Sequence, residues 1–289
     1  MRTYFLFLLV LLSSFVFARE SKLNENGIIK SSILKEDVKY SIYLPADYET
    51  SDRKYPVLYL LHGLSDDHTG WPQFGEVKYI ADKAIREGEA TPMIIVMPDA
   101  KRTYYVNDVE GKYRYEDFFI KELIPYIESN YKCRTTSEYR AVAGLSMGGY
   151  GSLLYSLHHP EMFAACYAMS SATRTDEEVI NMSNDSYDAV YTPLFGAHKG
   201  KDRINDYYNS NSILYLAAHI PEAQKNKVRF YIDCGDDDFL YKGNSTLHIL
   251  MRDLNIPHEY RVRQGGHEWE YWRTGLQNAL PFISKSFHR

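Results

Sequence analysis

The run Tyr55-Pro56-Val57-Leu58-Tyr59-Leu60-Leu61 carries no charge over seven positions. It is too short for a buried helix, and a strand with one wet face would alternate polar with apolar. The run therefore predicts a strand buried on both faces. Residues 93–97 and 140–143 repeat the pattern, and residues 163–169, 228–232 and 258–262 supply three more candidate strands. Helical periodicity falls between or after them, near residues 77–86, 115–131, 147–158, 245–254 and 269–287. Strands buried on both faces need helices on both sides, and strand–helix alternation makes the sheet parallel. Residues 28–34 and 38–44 read as an antiparallel pair that opens it. The expected fold class is α/β, a mostly parallel central sheet with helices on both faces.

One stretch breaks the rhythm. Residues 171–227 are long and polar, rich in Asn, Asp, Ser and Tyr, and stand between two predicted strands. A connection of that length is usually functional, so it reads as a cap over the site, with residues 212–219 helical. The 26 tyrosines suit half-buried strand positions, and equally a surface that stacks on sugars or aromatic acids.

The first residues read as a leader. Met1-Arg2 is a positive start, residues 5–17 are apolar apart from Ser13-Ser14, and Val16-Phe17-Ala18 sets small side chains where a signal peptidase reads. The expectation is a signal peptide at 1–18, a secreted or periplasmic protein, and one catalytic domain over 19–289. The apolar stretch is short for a span, so no stable membrane insertion is expected once it is removed. A net charge of −5 leaves no electrostatic footprint for nucleic acid. Cys133, Cys166 and Cys234 allow at most one disulfide and lack metal-ligand spacing.

The chemistry centres on Gly144-Leu145-Ser146-Met147-Gly148, which follows a strand and opens a helix. In that context G-x-S-x-G is a nucleophile elbow: a sharp turn lifts the serine hydroxyl above the sheet end. A serine needs a base, and the base an orienting acid, in the chain order Ser, Asp or Glu, His. Asp233-Cys234-Gly235-Asp236-Asp237-Asp238 follows a strand; Asp238 is the preferred acid, with Asp236 and Asp237 as alternatives and a calcium site as a rival use of the cluster. Gly265-Gly266-His267 follows the last strand, which makes His267 the base ahead of His248 and His258. The oxyanion donors would be the Met147 N–H and, from Leu61-His62-Gly63-Leu64, the Leu64 N–H. His62 itself reads as a structural hydrogen-bonding group. Trp71, Tyr105 and Trp269, with Tyr104 and Trp272 beside them, are candidates to line a substrate cleft.

These four segments, in this order, resemble the esterase D-like group of α/β-hydrolases. That group contains feruloyl esterases, acetyl esterases, S-formylglutathione hydrolases and mycobacterial mycolyltransferases, and the resemblance runs from about residue 34 to residue 287. It implies an α/β-hydrolase fold, the acid at Asp238, the base at His267, oxyanion donors at Leu64 and Met147, and no metal or organic cofactor. The expected function is a serine carboxylesterase acting through an acyl-enzyme on esters of plant polysaccharide or oligosaccharide, such as xylan, with feruloyl preferred over acetyl. The alternatives are an acyltransferase of the mycolyltransferase type and a non-catalytic carbohydrate-binding protein on the same scaffold.

Overall fold

The computed structural model describes residues 20–287. The leader expected at 1–18 lies outside them. Eight strands form one sheet: β1 (Lys22–Ser31), β2 (Glu36–Leu44), β3 (Val57–Leu61), β4 (Ile94–Pro98), β5 (Arg140–Leu145), β6 (Ala165–Met169), β7 (Arg229–Gly235) and β8 (His258–Arg263). Their order is β1-β2-β4-β3-β5-β6-β7-β8. β1 and β2 pair antiparallel, β2 pairs antiparallel with β4, and every later pair is parallel. The fold is the mostly parallel α/β sheet expected from the apolar runs.

All five residues of β3 are buried. Val57, Tyr59 and Leu61 point into one core with Leu153 and Leu154 of the helix Met147–His158 and Leu247 of the helix Tyr241–Asp253. Leu58 and Leu60 point into the other, with Ile80 of the helix Val77–Arg86 and Leu276 of the helix Trp269–Ser286. The two-residue strand period deals one run to two layers. Each fully buried Leu or Val contributes about 1.5–3 kcal/mol of transfer free energy, which both helix layers share.

Two elements differ from the sequence expectation at their ends. β1 starts at Lys22 rather than at 28, because an edge strand tolerates solvent and its first residues, mostly polar, alternate between exposed and half-buried. The helix expected at 245–254 starts at Tyr241; Gly243 and Asn244 look like a loop, but the Asn244 side chain donates to the Ser171 and Leu240 carbonyls and is wholly buried.

The 171–227 segment is mainly short helices. Asp176–Asn181, Asn184–Val190, Asp206–Asn209 and Ile213–Ala218 are opened by the capping side chains of Thr175, Ser183, Asn205 and Ser212. Buried Arg203 donates to the Val179 and Met182 carbonyls and to Asn184, and lies over the Tyr187 ring, binding those turns together. The three cysteines are buried and free, so no disulfide forms among them. Burial pushes the Cys133 and Cys166 thiols up to about 12.

The chain runs from β3 outward to β4 and then returns to β5 on the other side of β3. Loops leaving the carboxyl ends of β3 and β5 therefore diverge, and a crevice opens between them.

Candidate active site

Ser146 stands in that crevice, directly after β5, with φ 53° and ψ −116°. A non-glycine residue in this region costs about 1–3 kcal/mol, so neighbours must impose it. Ser146 N–H donates to the Met169 carbonyl at 2.9 Å, and its own carbonyl accepts from Tyr150 and Ala172 N–H. The turn is tight because its glycines touch backbone. A Cβ on Gly144 would lie 2.5 Å from the Gly148 carbonyl, and one on Gly148 would lie 2.4 Å from the Leu61 carbonyl oxygen. Neither obstacle can rotate away. Gly148→Ala is expected to destabilise the protein by about 1–3 kcal/mol or more and to lower its melting temperature by roughly 5–10 °C. Thermal denaturation followed by circular dichroism checks this, and an unchanged midpoint would refute the close approach of strand and helix.

The elbow aims the hydroxyl at an imidazole. Ser146 Oγ is 2.8 Å from His267 Nε2, and His267 Nδ1 is 2.9 Å from Asp238 Oδ2. A carboxylate only accepts, so Nδ1 carries the proton and Nε2 presents its lone pair to the hydroxyl. Asp238 Oδ1 accepts from Leu240 N–H at 2.8 Å. Burial pushes this carboxyl up, but the bonds from His267 and Leu240 outweigh it and hold it below the ordinary carboxylate range. Asp236 and Asp237 are exposed and serve the loop instead. Asp236 accepts from Gly265 N–H, and Asp237 N–H donates to the Gly265 carbonyl, stitching the β7 and β8 loops together. With Asp238 turned to His267 and Asp236 to Gly265, the three carboxylates do not converge on a calcium ion.

His248 and His258, the other histidines considered, pair with each other at 2.8 Å and lie elsewhere. The imidazole of His267 is wedged between aromatic rings: Trp272 meets it edge-on at 4.9 Å and Phe239 lies at 4.6 Å.

The loop after β3 closes the other side. Buried His62 accepts from Ala100 N–H on Nε2 at 2.8 Å, so it is the neutral Nδ1–H tautomer. Burial pushes its pKa down, in keeping with that state. Nδ1–H then donates to the Gly63 carbonyl at 2.7 Å. In a planar trans peptide this turns the following N–H, that of Leu64, away from His62. No backbone carbonyl among the described residues accepts from Leu64 N–H. Met147 N–H heads a helix and has no intrahelical partner. Both N–H groups are free to meet negative charge developing beside Ser146.

A cleft of about 470 Å³ rises from Ser146. Leu64, Asp66, Tyr104, Arg174, Met182, Tyr191, Phe239 and Trp269 line it. Trp269 is where the sequence placed it. Trp71 and Tyr105 are not, and this corrects the expectation for both. Trp71 is fully buried beneath the cleft, where its indole N–H donates to the Leu61 carbonyl at 3.0 Å and its ring meets Trp269 edge-on at 5.3 Å. Tyr105 is fully buried as well, its hydroxyl donating to the His62 carbonyl at 3.0 Å. Its neighbour Tyr104 takes the cleft position. Both tyrosines have positive φ, 52° and 63°, and this local twist decides which ring faces out.

The sequence reading missed Arg174, Met182 and Tyr191 of the 171–227 segment, and Phe239 beside the acid. The polarity of the segment did hint at a wall over the site, without saying which side chains would form it.

Known proteins carry similar chains. The family model described as "Putative esterase" matches residues 31–283. An acetyl esterase of Caldicellulosiruptor saccharolyticus is 26% identical over 270 residues, 88% of this chain and 96% of its own length. An endo-1,4-beta-xylanase/feruloyl esterase of Xylanibacter ruminicola is 37% identical over 146 residues, 48% of this chain and 20% of that protein. A solved structure of a ferulic acid esterase superposes with a TM-score of 0.80 at 34% identity, covering 93% of this chain and 99% of that one.

Proposed function

We propose, for a chain that belongs to the esterase family and is a carboxylic ester hydrolase, that its substrate is a feruloyl or related hydroxycinnamoyl ester on plant-wall oligosaccharide. The observation that carries this reading is the aromatic cleft of about 470 Å³ beside Ser146. Tyr104, Tyr191, Phe239 and Trp269 can grip a planar methoxylated ring by stacking and edge contact. An acetyl group would leave most of that space to water.

The proposed reaction uses Ser146 as nucleophile. His267 takes the hydroxyl proton on Nε2 as oxygen attacks the ester carbonyl, and Asp238 steadies the resulting imidazolium. The Leu64 and Met147 N–H groups meet the oxyanion. His267 then protonates the leaving sugar hydroxyl, and water repeats the sequence on the acyl-enzyme. Supporting this are the 2.8 and 2.9 Å contacts along the relay and the carboxyl of Asp238, held ionised. Export through the leader at residues 1–18 belongs to the same reading, since wall polysaccharide is too large to enter a cell.

Methyl ferulate, methyl acetate and acetylated xylan compared by kcat/KM test the specificity. Methyl ferulate is expected to exceed methyl acetate, which has the same leaving group, by at least about tenfold, the worth of one well-placed apolar contact. A higher constant for the acetyl esters would make the protein an acetyl esterase and overturn the acyl assignment.

A further inference from the structure

At the far end of the helix that begins beside Ser146 stands a polar cluster the hydrolysis does not use. His158 ends the helix Met147–His158, about 18 Å from Ser146 by helical rise, and His159 follows it. Glu116, buried on the neighbouring helix Tyr115–Phe118, reaches both. Its Oε1 lies 2.8 Å from His158 Nδ1 and 2.9 Å from His159 Nε2. One donor atom from each residue falls within 4.8 Å of the other two. The remaining nitrogen of His158, Nε2, donates to the Ser210 carbonyl at 2.8 Å, in the 171–227 segment.

We propose that Glu116, His158 and His159 bind one divalent transition-metal ion of the zinc class, which fastens the 171–227 segment to the body of the protein. Two imidazoles and one carboxylate are a zinc donor set, and side-chain rotation that re-aims the groups and widens the nitrogen–oxygen spacings by about half an ångström would seat a tetrahedral ion between them. The ring of His158 is already held as ligating histidines are held, with its other N–H on a backbone carbonyl. Both histidines lie at the carbonyl end of a helix, where the helix dipole favours a cation. His159 remains partly exposed, so water can complete the coordination.

Without metal, His158 faces an acceptor on each nitrogen and must carry both protons. Metal binding at Nδ1 replaces one of those protons, which passes to the buffer. The Nε2–H bond to Ser210 is kept, so the metal locks the ring that holds the segment.

The test uses the full chain without a polyhistidine tag, stripped with EDTA and titrated with zinc sulfate in a calorimeter. About one ion per chain should bind with a micromolar or tighter constant, with proton release that scales with buffer ionisation enthalpy. Glu116→Gln and His159→Ala should each weaken binding at least about tenfold while p-nitrophenyl acetate turnover stays within about twofold. The wild type loaded with Co²⁺ should show the strong visible bands of a four-coordinate ion, and zinc should slow proteolysis within residues 171–227. The proposal falls if the folded wild type takes up no zinc beyond what His159→Ala binds. It falls equally if binding disappears in His248→Ala instead, which would assign it to the His248–His258 pair.

Discussion

Ser146→Ala is expected to lower kcat for p-nitrophenyl acetate by roughly 10⁴–10⁶-fold, about 5–8 kcal/mol of transition-state stabilisation. The loss removes the one oxygen placed 2.8 Å from His267 Nε2. The fold should survive. Alanine occupies the same strained turn as serine, and the backbone bonds to Met169, Tyr150 and Ala172 involve no side-chain atom. The melting temperature is therefore expected to stay within about 4 °C of wild type, the shift that 1 kcal/mol gives in a chain of this size. Covalent labelling by a fluorophosphonate should vanish with the hydroxyl. Residual turnover would reflect the Leu64 and Met147 N–H groups alone. A purified variant that kept turnover within tenfold of wild type would remove Ser146 from the reaction.

Asp238→Asn should cost roughly 10³–10⁴-fold in kcat, whereas Asp236→Asn and Asp237→Asn should stay within about tenfold. Asp238 accepts on both oxygens, from Leu240 N–H at 2.8 Å and from His267 Nδ1–H at 2.9 Å. An asparagine has one oxygen, so its NH₂ must face one of these two donors. Turning His267 to the other tautomer relieves the clash, but the proton then sits on Nε2, where it opposes the Ser146 hydroxyl instead of accepting from it. A pH signature accompanies the loss. The folded carboxyl titrates below its ordinary range, so its contribution to stability is complete above the ordinary value and disappears as pH falls through the lowered one. The stability gap between wild type and Asp238→Asn should accordingly be largest near neutral pH and shrink in acid. Denaturant unfolding at pH 7 and near pH 3 measures it, and a gap that widens in acid would mean that Asp238 is not held ionised.

The three aspartates show how far the sequence reading reached. Asp236, Asp237 and Asp238 are chemically alike and adjacent; their place after the strand and the family resemblance favoured Asp238, with Asp236 and Asp237 left as alternatives. Burial separated them: Asp238 turns inward under His267, while the other two remain exposed and tie two loops together. The same holds for the aromatic candidates. Trp71 and Trp269 meet edge to face, and nothing in either local sequence says which lies above the other. Tyr104 and Tyr105 are consecutive, and two positive φ angles decide which one reaches the cleft. Arg174, Met182 and Tyr191 were out of reach because they come from separate short turns of a segment whose polar caps resemble a loop.

The sheet, the helices that cover it, and the order of serine, acid and histidine were legible along the chain. Those properties are local: an unbroken apolar run must be covered on both faces, and a turn that buries no methyl group must be glycine. That the named groups meet across 29 and 121 positions of chain, and in which tautomer, is a property of the packed molecule, because distance and burial arise there. The walls of the cleft and the cluster of Glu116, His158 and His159 belong to this second class. Their residues are unremarkable along the chain, and they become a site only where elements distant in sequence pack against one another.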